Sequence, residues 1–375
     1  MATQSNQKPV VLITGASGLI GSHLIASLSD NYCCVGLDVK PLSPGLNAFW
    51  SKCDLTDDRS TAQAVKTVQQ KYGDQITSVV HLAAYYDFSG EPSPLYDELT
   101  VAGTARLLKH LQSLHVEQFI FSSSLLVMKA AGDNRTIIKE GSPVEPEWDY
   151  PESKLKAELV VLNDMRRIIP SVILRIAGVY DDRCRSIPIA QQIKRIYEKD
   201  FESYFFPGNA EHGQAFVHLD DLVDCIDKTI ARRASCGKRD LFLIAEPEVM
   251  SYRELQDEIG TLIHGKDWPT LRIPKTVAKA GAWVKEKIAG EGDTFIKPWM
   301  VDLADGHYPV SIDHARTTLS WEPQHRLRTT LPNMIEFLKD DPRGWYKENK
   351  LPLPESLKND SERETPRERH VDNNE

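Results

Sequence analysis

Tyr150 and Lys154 stand four residues apart in the stretch Tyr150-Pro151-Glu152-Ser153-Lys154, a spacing that puts both on one helix face, one turn apart. An ammonium at that place stabilises phenolate over phenol, drawing the tyrosine pKa down towards working pH and making Tyr150 a usable general acid or base. The pair by itself also describes many solvated helix faces. It gains weight from Ser122-Ser123-Ser124, which follow the apolar run Phe119-Ile120-Phe121. A short apolar run reads as a buried strand, and the C-terminal ends of such strands are where parallel sheets hold their ligands.

A second constellation lies near the start of the chain. The apolar run Val10-Val11-Leu12-Ile13 and Thr14 break into Gly15, Gly18 and Gly21, with Ala16, Ser17, Leu19 and Ile20 between them, and an amphipathic stretch continues to Leu28. This is strand, tight turn, helix. Glycine lets the backbone turn sharply and approach a ligand, and the N–H groups at the helix start favour a pyrophosphate. Seventeen positions after Gly21, the run from Cys33 ends in Asp38, a carboxylate placed to accept hydrogen bonds from an adenosine ribose. The fingerprint predicts a dinucleotide held by Gly15, Ser17, Gly18, Leu19, Ile20, Gly21 and Asp38. A carboxylate repels the 2′-phosphate of NADP, so NAD is the expected cofactor.

The elements that must position these groups follow from periodicity. Strands are predicted over 10–14, 33–38, 46–50, 76–82, 119–121 and 171–176, and helices over 19–28, 58–72, 98–114 and 150–168. Alternating strands and helices predict an α/β fold, a Rossmann-type doubly wound parallel sheet. After Tyr180 the character changes, with a helix-like segment at 188–199 and the aromatic cluster Tyr204-Phe205-Phe206. A strand and helix start near 214–222 predict a return to the main sheet, and helical patterns at 251–264, 274–289 and 329–340 predict a smaller, mostly helical C-terminal substrate lobe. The expected division is a disordered N-terminus at 1–8, a cofactor domain at 9–180 with 214–246 returning to it, and a substrate lobe at 181–213 and 247–340. The polar stretch at 341–375 is expected to be a disordered tail.

Composition narrows the classes. At 375 residues, with 41% hydrophobic and 26% charged residues, the chain can bury a full core as a soluble globular protein. A net charge of −9 with interleaved signs argues against a nucleic-acid surface. The six cysteines show no repeated spacing and fit a reducing compartment. No run reaches the ~20 apolar residues of a membrane span, and the polar N-terminus has no signal-peptide core, so a cytoplasmic protein without membrane insertion is expected. His81, His212 and His218 lack a metal-ligand spacing, and no metal is expected.

The ordered set Thr14-Gly15-x-x-Gly18-x-x-Gly21, Asp54-Leu55, His81-Leu82-Ala83-Ala84, Phe121-Ser122-Ser123-Ser124, Tyr150-x-x-x-Lys154, Leu174-Arg175 and Phe216-Val217-His218-Leu219-Asp220-Asp221 resembles the extended short-chain dehydrogenase/reductase superfamily, the NAD-dependent epimerase/dehydratase family. The resemblance covers about residues 9 to 340. It implies Tyr150 as proton donor or acceptor, Lys154 as the group that holds the nicotinamide ribose and tunes Tyr150, and Ser124, with Ser123 as the alternative, as the hydrogen-bond partner of the substrate oxygen. Asp54 and Leu55 resemble the adenine-contacting pair; Leu82, Ala83 and Ala84 resemble the wall beside the cofactor. Tyr85, Tyr86 and Arg175 are the candidate substrate contacts. Thr100 stands where many members carry Asn, and Leu125-Leu126 stand where 4,6-dehydratases carry an acidic pair, which argues against dehydration.

Three readings follow. The leading one is NAD-dependent oxidoreduction of a hydroxy or keto small molecule, with the aromatics Tyr204, Phe205, Phe206, Trp283 and Trp299 favouring a hydrophobic one. An epimerase, with nucleotide sugars as the natural substrates, would use the same oxidation transiently. A non-catalytic dinucleotide-binding regulator could share the fold. A homodimer is the expected assembly, since the family often pairs helices such as 98–114 and 150–168.

Overall fold

The computed structural model describes residues 8–87, 91–133, 135–163, 169–278 and 306–358. Among them, seven strands form one parallel sheet: β1 (Val10–Thr14), β2 (Cys33–Asp38), β3 (Phe49–Lys52), β4 (Ser78–His81), β5 (Phe119–Ser124), β6 (Ser171–Ile176) and β7 (Arg239–Ile244). Their spatial order is β7-β6-β5-β4-β1-β2-β3. Chain order therefore reverses beside β1, which pairs with β2 on one side and β4 on the other, Leu12 lying opposite both Val35 and Val79. The crevice beyond the strand ends at such a reversal is where this architecture binds ligands. β1, β5 and β6 are buried along their whole length, as expected for strands covered on both faces.

Helices cover both faces. Helix α1 (Leu19–Leu28) and α6 (Leu219–Ala231) share a core with Val11, Ile13, Ile120 and Leu174, while α2 (Asp58–Tyr72), α3 (Ala102–Leu111) and α4 (Asp149–Asn163) close a second core over Leu12, Val79, Phe119 and Ile173. Alternate residues of one strand thus feed opposite cores, which fixes the register. Helix α3 is preceded by a π-helical turn, Tyr96–Val101.

The smaller lobe has its own core. Helices α5 (Ile187–Tyr197), α7 (Tyr252–His264) and α9 (Leu327–Asp340) pack Ile189, Ile193, Ile259, Leu331 and Ile335 around Trp268. Helix α7 opens with a capping box between Ser251 and Glu254, which satisfies two otherwise orphaned backbone donors. The short helix α8 (Asp313–Leu319) belongs instead to the core around β7. Most of the predicted 274–289 helix, including Trp283, and Trp299 lie outside the described residues. No described helix is long and apolar enough to cross a membrane.

Three expectations are corrected. The strand near 214–219 does not rejoin the main sheet: Phe216–His218 pairs with Gly178–Tyr180 in a separate two-stranded sheet. The returning strand is β7, whose alternation is weak because its first residues, Arg239 and Asp240, are polar. Second, Tyr204 stacks on Trp268 at 4.8 Å and Phe206 on Tyr252 at 3.8 Å between ring centroids, so this cluster holds the lobe together internally. Third, the polar stretch after 340 is not wholly a tail. Helix α10 (Pro342–Glu348) buries Trp345 and Tyr346 completely, and the Tyr346 hydroxyl donates to Glu198 Oε1 at 2.5 Å. Two aromatics in a polar background suffice to anchor a segment, because each buries a large area.

Trp345 therefore serves as a core residue of the lobe. Trp345→Ala is expected to destabilise the protein by about 3–5 kcal/mol, the usual cost of emptying a buried aromatic site, read as a lowered midpoint of chemical denaturation. A midpoint within experimental scatter of wild type would show that the 342–348 segment is not docked.

Candidate active site

The glycine turn is built by close approach. Gly15 has φ of +67°, and a Cβ there would lie 2.9 Å from the Ala83 nitrogen; a Cβ on Gly21 would collide with the Gly15 carbonyl oxygen and sit 2.7 Å from Ala16 Cα. Only glycine fits either place. Helix α1 starts at Gly18 without any side-chain cap, leaving its first-turn N–H groups to an external acceptor such as a pyrophosphate. Leu19 and Ile20 form that turn. At the end of β2, Asp38 accepts from the Ser17 and Lys40 backbone N–H groups, each at 3.0 Å. The carboxylate is thereby fixed at the rim of the turn. Asp54 accepts at Oδ1 from the Thr56 N–H at 2.9 Å and hydroxyl at 2.7 Å, beside buried Leu55. The glycine turn packs against the Leu82–Ala83 backbone beside the chain-order reversal, and the uncapped helix, the glycine cradle and the fixed carboxylate are of the kind that suits a dinucleotide.

His81 ties the crevice together. Its Nδ1 lies 2.6 Å from the Thr14 hydroxyl and its Nε2 2.9 Å from that of Thr104. Thr104 gives its own proton to the Thr100 carbonyl, so it accepts from Nε2–H, and Nδ1 accepts from Thr14, which in turn accepts from the Ala83 N–H at 3.2 Å. Both ring nitrogens and both hydroxyls are satisfied, and the ring is neutral: burial, with Lys154 as a smaller contributor, pushes its pKa down to about 3. Thr100 accepts from the Tyr85 N–H at 3.0 Å and so fixes the loop that follows the wall.

The three serines have three different partners. Ser122 Oγ donates to the His81 carbonyl at 3.0 Å, Ser123 Oγ to Glu158 Oε1 at 2.5 Å, and Ser124 Oγ accepts the Leu126 N–H at 3.2 Å while drawing the Tyr150 phenol down. Ser123 is thus taken up by Glu158, which leaves Ser124 as the hydroxyl that acts on the tyrosine. Lys154 is 3% exposed; its Nζ donates to the Ser122 carbonyl at 2.7 Å and lies 5.9 Å from the centre of the Tyr150 ring. The ionisation differs from the expectation. Burial pushes the Tyr150 phenol up to about 12, only partly offset by Ser124, and the same burial draws Lys154 down to about 7 against the pull of Glu158. In both groups burial is the largest influence and favours the neutral form.

Tyr86 packs edge-on against Tyr150 with ring centroids 4.9 Å apart, whereas Tyr85 turns to Tyr96 at 4.8 Å. Arg175 is not at the substrate side. It is buried in a two-pronged ion pair with Glu158, at 2.7 Å and 3.0 Å. A cavity of about 290 Å³ opens next to the tyrosine, lined by Leu126, Ala130, Ala131, Gly132, Glu147, Trp148, His212, Gln214, Gly306 and Tyr308. Trp148 connects the two, its ring 5.5 Å from that of Tyr150. Trp148, Tyr308 and the His212–Gln214 loop come from three separate stretches with no periodicity to bring them together, so their meeting is not readable from the sequence. Spacing along the chain argues against His218 as a ligand. In the fold it gathers with Asp220 and His325, ligand atoms within 4.8 Å, where its Nδ1 accepts the Asp220 N–H at 3.2 Å and its ring stacks on His325 at 4.0 Å.

Comparison with known proteins agrees with this geometry. The NAD dependent epimerase/dehydratase family matches residues 11–245. The chain is 26% identical to UDP-glucose 4-epimerase of Vibrio cholerae over 88% of this chain and 95% of that one. It is 25% identical to sterol-4-alpha-carboxylate 3-dehydrogenase, decarboxylating, of Candida albicans over 88% and 98%. Among solved structures, dTDP-glucose 4,6-dehydratase of Bacillus anthracis in complex with NAD superposes with a TM-score of 0.67 at 17% identity, over 91% of this chain and 99% of that one.

The neutral, buried His81 makes stability depend on pH. Its folded pKa of about 3 lies below the ordinary ~6.5 of the unfolded chain. The unfolded state therefore gains a proton that the folded state refuses, and stability falls as pH drops from about 6.5 towards 3, by about 2 kcal/mol at pH 5 from this group. Urea midpoints at pH 7.5 and 5 should show the loss, and His81→Gln, though less stable at pH 7.5, should lose less on acidification.

Proposed function

Because the chain belongs to the NAD dependent epimerase/dehydratase family, we propose that this NAD-dependent enzyme interconverts a hydroxyl and a keto group on a largely apolar small molecule, with Tyr150, Lys154 and Ser124 as its catalytic groups. The observation that supports the reading is a buried lysine one helical turn from Tyr150, its Nζ 5.9 Å from the centre of that ring and held by the Ser122 carbonyl at the end of the serine strand. NAD, when bound, takes or delivers the hydride. Tyr150, holding its proton, gives it to the substrate oxygen in the reducing direction and recovers it in the oxidising one. Ser124 orients that oxygen by hydrogen bonding. Lys154, as ammonium, stabilises the phenolate while the proton is away.

Glu147, His212 and Gln214 make part of the cavity's lining polar, while Leu126, Ala130, Ala131, Trp148 and Tyr308 give it an apolar and aromatic wall. This supports an apolar substrate body, as does the similarity to the sterol dehydrogenase. Tyr86, edge-on to Tyr150, would complete that wall. A second reading, epimerisation of a nucleotide sugar, is favoured by the comparable similarity to the Vibrio epimerase. Six free thiols, four of them buried, support a reducing, cytoplasmic setting, and a homodimer is part of the same proposal.

Thermal-shift screening with NAD present, UDP-sugars against sterol-like and phenolic ketones, separates the readings. Stabilisation by the ketones supports oxidoreduction, and stabilisation by a UDP-sugar alone would favour the epimerase. On the substrate so found, Tyr150→Phe is expected to lower turnover by about 10²–10⁴-fold while leaving NADH binding nearly intact. With Asp38 fixed at the ribose rim, NADH is expected to bind several-fold or more tightly than NADPH in fluorescence titration, by like-charge repulsion of the 2′-phosphate; tighter NADPH binding would overturn that preference.

A further inference from the structure

Helix α4 carries a third residue on the face of Tyr150 and Lys154. Glu158, one turn beyond the lysine, has no part in the hydride-transfer reading, yet it is 1% exposed and held from two strands. Its Oε1 accepts from Ser123 Oγ at 2.5 Å and Arg175 Nε at 3.0 Å, and its Oε2 from Arg175 Nη2 at 2.7 Å. Arg175 in turn directs Nη1 at the Met128 sulfur, 2.8 Å away. Two consecutive serines of β5 thus hold two residues of α4: the Ser122 carbonyl takes Lys154 and the Ser123 hydroxyl Glu158.

Lys154, Glu158 and Arg175 form a row of alternating charge in a dry interior. The groups facing Lys154 are Tyr150 and Glu158 from its own helix, neutral His81 from β4, the Phe121 ring at 5.3 Å and Ser122 carbonyl from β5, and, across Glu158, Arg175 from β6. Of these, only Glu158 supplies a countercharge. Glu158 is the direct countercharge of buried Arg175, and leaving either one unpaired would be costly. One helical turn from Lys154, the same carboxylate also puts negative charge near that desolvated ammonium.

We propose that Glu158, locked by Arg175 and Ser123, is a positioning residue that keeps Lys154 protonated beneath Tyr150. It touches neither substrate nor cofactor and acts through the lysine alone. The inference rests on the reading of Tyr150 and Lys154 as the catalytic pair.

The test is a titration of the full-length protein labelled with ¹³C-lysine, following the Lys154 Cε resonance, assigned by its loss in Lys154→Met. Glu158→Gln should lower the proton affinity of Lys154 by about tenfold or more, the size of one lost opposite charge nearby. Glu158→Asp should restore most of it. If Glu158→Gln fails to fold because Arg175 is left unpaired, the double variant Glu158→Gln/Arg175→Met removes both charges and should still show a drop, smaller than that of the single variant because the repulsion from Arg175 is removed with it. A folded double variant whose Lys154 midpoint stays within about 0.3 pH units of wild type overturns the inference while leaving the catalytic reading intact. If instead Tyr150→Phe keeps full turnover on the substrate found above, the catalytic reading falls and this one falls with it.

Discussion

Polar groups at the C-terminal edge of the sheet are buried, and a buried polar group without a partner is costly. That constraint organises the crevice. β1, β2, β4, β5 and β6 end in or near Thr14, Asp38, His81, Ser122–Ser124 and Arg175, and each of these is paired across to a different element. The pairing fixes the glycine turn against the wall, the wall against the π-helical turn, and β5 against α4. The groups left to act on a ligand are those that this network positions without consuming: the uncapped start of α1, the Ser124–Tyr150 pair and the ammonium of Lys154.

Desolvation sets the charge state of that site more than proximity does. Tyr150, Lys154 and His81 all shift towards their neutral forms because burial is the largest influence on each. A neutral phenol beside a hydroxyl is a proton donor waiting for an acceptor. A lysine close to the midpoint of its titration is sensitive to any neighbouring charge, which is why a carboxylate one turn away matters.

The lobe obeys a different rule. Its core is assembled from aromatics of distant segments, Tyr204, Trp268, Trp345 and Tyr346, and His212 lines the same cavity as Trp148, Gln214 and Tyr308. The glycine turn is thus built from regular elements and the cavity largely from loops. Loops can be exchanged without disturbing a sheet, which fits a chain similar both to a UDP-glucose 4-epimerase and to a sterol dehydrogenase.

Local pattern is enough to read the elements that bury one face or both. Val10–Thr14, Leu19–Leu28, Asp58–Tyr72 and Ser171–Ile176 occupy the expected places, because hydrophobic periodicity is a direct record of which side faces the core. The glycine turn, Asp38 and the Tyr150–Lys154 spacing are legible for the same reason: each is a short-range geometry imposed by backbone sterics or by one helical turn. What depends on distant segments is not. Arg175 reads as a cation at a strand end, and only the fold reveals Glu158 waiting opposite it. Trp345 sits in a polar stretch whose average hides it, β7 starts with polar residues that mask its burial, and the ionisation of Tyr150 follows from how much water the assembled chain excludes. Spacing along the chain determines which groups can meet; only tertiary packing decides which are desolvated, and desolvation decides their chemistry.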